Sequence, residues 1–281
     1  MNVTDFELIA QLLKKRSGLA LSKDKAYLLE SRLNPVARKW NFAGFDELAQ
    51  GIRAGKDEAL LVDVTEAMTT NESFFFRDQK PFQQFTDMVI PHMLEHRAKQ
   101  RSFRIWSAAC SSGQEPYTLA MLLKENASKL AGWRIEIVAT DLSNEILDKA
   151  REGLYSQFEV QRGLPIGLLI KYFKQIGDRW QIDAGIRQMV KFQQFNLLNN
   201  PSALGRFDVI FCRNVLIYFD PPTKTTVLGK LADLLVGDGF LYLGGAETVL
   251  GMSNRFALMT GQRGIYRLMA TEPVAQTKAA G

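Results

Sequence analysis

Three short apolar runs each end abruptly on polar residues: Arg104–Ala108 before Ser111-Ser112-Gly113, Ile135–Thr140 before Asp141, and Phe207–Phe211 before Arg213-Asn214. A helix-period pattern follows each run. This is how consecutive strands of a parallel α/β sheet read, and ligands of such sheets bind beyond the carboxyl ends of the strands. The polar residues therefore converge on one crevice.

Ahead of this unit, residues 4–68 carry only helical periodicity. Thr4 and Asp5 cap a helix with Phe6, Ile9, Leu12 and Leu13 on one face, and Leu28, Leu29 and Leu33 mark a second helix that Pro35 interrupts or restarts. Phe45–Arg53 is a third helix, begun by Gly44 and stopped by Gly55, and Ala59–Met68 is a fourth. The segment Thr69–Asp78 breaks the pattern with polar side chains, three consecutive phenylalanines and an arginine, and leads into a helix from Pro81 to Arg97. Past the second strand, helices are expected around Glu145–Glu152 and Ile166–Phe173. Trp180-Gln-Ile182 and Met189-Val-Lys-Phe192 then alternate about a turn at Gly185, which predicts a small antiparallel insertion. Thr223–Leu235 is helical, Phe240–Leu243 and Ile265–Leu268 are the last strands, and Thr271–Gly281 reads as a disordered tail.

The expected division is a helical domain at 1–68, a linking segment and helix at 69–102, and an α/β domain at 103–270. The inserted β-subdomain falls at about 174–194 and the tail at 271–281. The 281 residues suffice for two modest domains with buried cores. No uninterrupted apolar run is long enough to cross a bilayer, and no secretory pattern opens the chain, so the expected setting is cytoplasmic. Nothing demands more than a monomer. The net charge is only +5, yet between Leu8 and Phe42 eight basic residues (Lys14, Lys15, Arg16, Lys23, Lys25, Arg32, Arg38, Lys39) face two acids, Asp24 and Glu30. Such helices are either a solvated basic face or a docking surface for an acidic partner.

The strand-to-helix turn Ser107–Tyr117 contains one glycine, Gly113, and no lysine, so it is poorly built for a pyrophosphate. A cofactor without phosphate fits better, and S-adenosylmethionine is the common one. Glu115 faces its ammonium or complements the helix dipole. Asp141 accepts ribose hydroxyls or caps the next helix, where Ser143 is the better-placed cap. Cys110 and Cys212 lie at strand ends and read as small buried hydrophobes rather than nucleophiles. His92-Met-Leu-Glu-His96 matches a short zinc-peptidase pattern with no identifiable third ligand and reads as a helix face, so no metal is expected. Asp220-Pro221-Pro222 lies several residues past the strand end, where a base-reading Asn/Asp-Pro-Pro would sit directly upon it. It reads as a helix cap, and nucleic acid is not an expected partner.

Thr70-Asn-Glu-Ser-Phe-Phe-Phe-Arg77, Ser111-Ser-Gly-Gln-Glu-Pro-Tyr117, Ala139-Thr-Asp141 and Phe211-Cys-Arg-Asn-Val-Leu-Ile-Tyr-Phe-Asp220 occur in this order. With these four motifs the chain resembles the CheR-type chemotaxis receptor methyltransferases, over its length to about Met269. The resemblance implies a doubly wound, mainly parallel, Rossmann-like methyltransferase sheet preceded by an all-helical domain. It implies an S-adenosylmethionine-dependent O-methyltransferase that esterifies glutamates of bacterial chemoreceptors and releases S-adenosylhomocysteine. The family's cofactor contacts carry over to Asn71, Ser73, Arg77, Glu115, Asp141, Asn196, Leu197, Arg213 and Asn214. Ser73 replaces the usual threonine, and Gln114 stands where an acid is common. Arg77 is expected to orient the substrate carboxylate and Tyr218 to shape the transfer site. The basic N-terminal helices would meet the receptor's methylation helices. Family members that dock a receptor's C-terminal peptide carry a longer glycine-containing loop in the β-subdomain; with Gly177-Asp178 as a tight turn, such tethering is not expected here.

Overall fold

The computed structural model describes residues 3–55 and 57–269, so the expected tail lies outside the described residues. The helical domain comprises α1 (Val3–Ser17), α2 (Tyr27–Lys39), α3 (Phe45–Ala54) and α4 (Glu58–Ala67). Their apolar faces meet in one core that includes Ile9, Leu13, Leu29, Leu33, Leu48 and Val64. Pro35 does not interrupt α2, contrary to expectation. Leu33, Val36 and Ala37 are buried on either side of it, and their burial offsets a mid-helix proline cost of ~3 kcal/mol.

After the linking segment come α5 (Lys80–Gln84), a π-helical turn at Phe85–Val89 and α6 (Ile90–His96). Ile90 N–H reaches back to the Phe85 carbonyl immediately before Pro91, which has no N–H to continue the ladder. The α/β unit proceeds through β1 (Ser102–Ala108), α7 (Gln114–Glu125), β2 (Arg134–Asp141), α8 (Asn144–Glu152), β3 (Leu154–Ser156), α9 (Gln157–Gln161), α10 (Ile166–Tyr172), β4 (Phe173–Ile176) and β5 (Arg179–Ile182). It continues with α11 (Ala184–Arg187), β6 (Val190–Gln194), β7 (Phe207–Cys212), α12 (Pro221–Leu234), β8 (Leu235–Leu243), β9 (Phe256–Leu258) and β10 (Ile265–Leu268).

The main sheet has the order β6-β2-β1-β7-β8-β10-β9, parallel except for the pairs that β10 makes with β8 and β9. Alternate side chains of its central strands enter different cores. Ile105, Ile137, Val209 and Phe211 pack on one face, and Trp106, Val138, Ile210 and Cys212 on the other. The continuous apolar runs reflect this two-sided burial. The chain leaves β1 toward β2 and β6, then returns to build β7 and β8 on the other side. A crevice therefore opens between β1 and β7 at their carboxyl ends.

The expected β-subdomain at 174–194 needs correction. Its antiparallel sheet is β3-β5-β4, with Gly177-Asp178 as the two-residue link between β4 and β5. Val190–Gln194, by contrast, pairs parallel with β2 and forms the edge of the main sheet. Gly185, expected at a turn, lies within the short helix α11.

Near the amino-terminal ends of β7 and β8, His92 stacks on His96 with ring centroids 3.8 Å apart. Its Nε2 lies 3.3 Å from Asp238 Oδ2, and Arg97 ties Asp238 to Asp208. This cluster sits at the opposite end of the sheet from the crevice, and no group of three or more ligands able to hold a metal occurs among the described residues.

Candidate functional site

A cavity occupies the crevice, with an empty volume of about 1040 Å³ including its open mouth. All nine residues expected to contact the cofactor line it, as does Tyr218. Arg77 and Asp141, far apart in sequence, share this one space.

Gly113 makes the turn after β1 with φ +91°, and a Cβ there would lie 3.1 Å from both Ala150 and Tyr117. A side chain at this position would be strained twice over, by conformation and by packing. Beside it, Asp141 is buried at the tip of β2. Its Oδ2 accepts from Ser111 N–H at 2.8 Å and its Oδ1 from Ser143 N–H at 3.2 Å. Burial pushes the Asp141 carboxyl above its ordinary value, against the lowering effect of these backbone donors. The helix cap falls to Ser143, whose Oγ accepts from Ile146 N–H. Asp141 is thus freed from capping α8, and with Leu142 N–H as a third backbone donor its four acceptor positions are not all used.

Glu115 and Arg213 form the second polar centre. Arg213 Nη1 donates to Glu115 Oε2 at 2.8 Å, and Ser107 Oγ donates to Glu115 Oε1 at 2.8 Å. The other arm of Arg213 donates to Asp78 Oδ2 at 2.7 Å and to the Arg77 carbonyl at 2.8 Å. Its side chain is only 2% exposed, and Nε is buried without a partner. Arg213 therefore clasps the linking segment onto the sheet. That segment needs a clasp: Phe76, Asp78 and Gln79 have φ of +53°, +68° and +42°, each a conformation costing of order 1–3 kcal/mol for a non-glycine residue.

The three consecutive phenylalanines part company here. Phe75 is fully buried edge-on against Tyr155 and Phe173, and Phe76 packs on Phe82. Phe74 faces the cavity, flanked by the guanidinium groups of Arg77 at 5.5 Å and Arg162 at 4.2 Å. Arg77 Nη1 also donates to the Glu72 carbonyl at 2.7 Å. Arg162 pairs with the Glu72 carboxylate at 2.7 Å and holds it below the usual carboxylate range.

The helical domain closes part of the cavity, which the sequence reading did not anticipate. Ser17 and Leu19 line it, Leu19 forms a β-bridge with Phe219, and Ala20 N–H donates to the Tyr218 carbonyl at 2.9 Å. Asn196 Nδ2 donates to the Arg16 carbonyl at 2.6 Å, and Glu66 of α4 accepts from Ser143 Oγ and Asn144 N–H at the start of α8. Phe195 and Val215 complete the apolar wall. No pattern marks Ser17, Leu19 and Glu66 in advance, because their partners lie in the other domain.

The same contacts reapportion the basic charge of the N-terminal helices. Lys14 pairs with Asp220, Arg16 with Glu58 and Lys39 with Asp63, while Arg32 donates to the carbonyls of Met68 and Thr69. Lys15, Lys25 and Arg38 are exposed and make no ion pair among the described residues. With Lys23 also 3.9 Å from Glu7, five of the eight basic residues are engaged internally.

Cys110 and Cys212 are buried, and burial pushes both thiols well above their ordinary values. Neither suits nucleophilic chemistry. Among the described residues the lining contains no lysine or histidine; its acids are Glu72, Glu115 and Asp141 and its cations Arg77 and Arg213. Arg213 is already balanced by Glu115 and Asp78. A cationic, phosphate-free nucleoside suits this donor set, and S-adenosylmethionine has that chemistry.

Comparison with known proteins agrees. The model for the CheR methyltransferase SAM-binding domain matches residues 71–265, and that for the CheR methyltransferase all-alpha domain matches residues 4–69. The chain is 40% identical over 265 residues to the chemotaxis protein methyltransferase Cher2 of Pseudomonas putida, covering 93% of this chain and 96% of that protein. It is 38% identical over 268 residues to chemotaxis protein methyltransferase 1 of Vibrio cholerae, covering 94% and 96%. With chemotaxis protein methyltransferase 1 of Pseudomonas aeruginosa it shares 40% identity over 269 residues, covering 94% and 97%. With both of its domains matched and the crevice built for a sulfonium nucleoside, the chain belongs to the CheR methyltransferase family and is an S-adenosylmethionine-dependent enzyme.

Proposed function

We propose that this methyltransferase forms methyl esters on glutamate side chains of chemoreceptor cytoplasmic helices, and that it works in the cytoplasm. The observation that carries the reading is the absence of an available base from the cavity wall. Among the described residues no histidine or lysine lines it, Glu115 and Asp141 are both hydrogen-bonded, and Glu72 is paired with Arg162. An amine or hydroxyl acceptor must lose a proton on reaction. A glutamate carboxylate, with an ordinary pKa of ~4.3, arrives already ionised at neutral pH.

S-adenosylmethionine supplies an electrophilic methyl group. What the chain must add is in-line placement and exclusion of water. In this reading Asp141 accepts the ribose hydroxyls and Asn196-Leu197 lies along the adenine. Asn71, Ser73, Glu115, Arg213 and Asn214 supply the remaining cofactor contacts. Arg77 orients the substrate carboxylate beside the cofactor, and Tyr218 shapes the transfer site. Receptor docking falls to the unpaired cations Lys15, Lys25 and Arg38.

The test is the alkali lability of the product. Methyl groups transferred from labelled S-adenosylmethionine to a receptor cytoplasmic fragment are expected to be released in base, as carboxyl esters are. Label that persists in base would mark an N-methyl product and refute esterification.

A further inference from the structure

Glu247 lies just beyond β8, does not line the cavity, and is 8% exposed. Its carboxylate nevertheless accepts from four backbone N–H groups. Oε2 receives Asn214 at 2.8 Å and Gly244 at 2.6 Å; Oε1 receives Val215 at 2.9 Å and Ile217 at 3.3 Å. Three of these donors belong to the loop that follows β7, where the sheet ladder has ended and the backbone needs other acceptors. That loop carries Asn214, Val215 and Tyr218 into the cavity. Asn214 takes the left-handed conformation, φ +58°.

We propose that Glu247 is a positioning residue for methyl transfer: a built-in anion, seated in a nest of backbone N–H groups, that sets the loop from Asn214 to Tyr218 against the cofactor. This rests on the reading of the cavity as the cofactor site. The loop is pinned at two places, by Glu247 at its start and by the Leu19–Phe219 bridge at its end. Charge and shape are both required at the first. Glutamine at 247 would present its NH₂ either to the Asn214 and Gly244 donors or to those of Val215 and Ile217, so one pair must move away. Gly244 offers an independent route to the same junction. A Cβ there would lie 2.7 Å from Asn214 Nδ2, 2.8 Å from Glu247 Oε2 and 2.9 Å from Asn214 N. Since the last is backbone, the loop itself must shift.

The experiment titrates S-adenosylhomocysteine into the wild-type protein, Glu247→Gln and Gly244→Ala by calorimetry, at a temperature where circular dichroism shows each folded. Kinetics with a receptor fragment at saturating cofactor accompany it. Both variants are expected to bind about tenfold more weakly (about 1.4 kcal/mol). In both, kcat should fall while KM for the fragment stays within about twofold, because neither substitution removes a contact of the docking cations Lys15, Lys25 and Arg38. If Glu247→Gln does not fold, Gly244→Ala carries the test. A lowered melting temperature with wild-type affinity and kcat would reduce Glu247 to a structural role and overturn the proposal. Failure of the wild-type protein itself to bind S-adenosylhomocysteine would instead bring down the cofactor reading on which the proposal rests.

Discussion

Asp141→Asn is the sharpest perturbation of the cavity, because it changes charge while nearly preserving shape. Asp141 accepts from Ser111 and Ser143 N–H, with Leu142 N–H a third donor, and in the proposed reading the ribose hydroxyls share its remaining acceptor capacity. A hydrogen bond to a charged group exceeds a neutral one by about 1 kcal/mol, so two of them account for about 2 kcal/mol. That corresponds to a roughly thirtyfold weaker affinity for S-adenosylhomocysteine, readable by calorimetry. The amide must also turn its NH₂ toward a backbone donor, which lowers folding stability by about 1–3 kcal/mol. Acidification offers a second readout. Burial raises the carboxyl in the folded protein, and the ribose contacts require its ionised form. Wild-type affinity should therefore begin to fall at a higher pH than a free aspartate (about 3.9) would dictate. The variant should lack this component. Unchanged affinity, or the same pH profile in both proteins, would refute Asp141 as the ribose acceptor.

Arg213→Met leaves the largely buried Glu115 without its counter-charge, while the half-exposed Asp78 stays solvated; by analogy with a single broken buried pair it should cost about 3 kcal/mol in urea unfolding, and a loss below about 1 kcal/mol would contradict the clasp. His92 is held below its ordinary value by burial, with Arg267 adding to the effect. The unfolded chain binds its proton near pH 6.5, so this contribution to stability is complete above that pH and lost as the pH falls below it. His92→Gln should flatten the difference in unfolding free energy between about pH 7.5 and pH 5.5. Reversing Lys15, Lys25 and Arg38 to glutamate should weaken receptor-fragment binding and its salt dependence while leaving cofactor affinity intact. Binding indifferent to both salt and charge reversal would point to an apolar docking surface.

The polar tips of β1, β2 and β7 were legible because two-sided burial produces unbroken apolar runs that end where the crevice begins. The alternation in Met189-Val-Lys-Phe192 was misread for a physical reason. An edge strand of a parallel sheet, half open to solvent, alternates just as an antiparallel one does, and only its pairing with β2 separates the two. β3 has three residues, too few for any period to show. Of the candidate site, Glu115, Asp141, Arg213 and Asn214 could be named from the strand tips, whereas Asn71, Ser73, Asn196 and Leu197 were named only through the resemblance to the CheR family. Ser17 and Leu19 could not be named, because they belong to a helical domain whose docking is invisible in pattern. Glu247 was missed because three of its four partners are backbone N–H groups some 30 residues away, and backbone donors leave no mark on residue identity. The charge count misled in a similar way: Lys14 is engaged by Asp220, a partner no local window contains.

The most direct measurement is mass-spectrometric mapping of a chemoreceptor cytoplasmic fragment after incubation with this enzyme and isotope-labelled S-adenosylmethionine. The account predicts label confined to glutamate side chains of the receptor helices and abolished in Arg77→Ala. Label on lysine, histidine or cysteine, or undiminished labelling by Arg77→Ala, would contradict it.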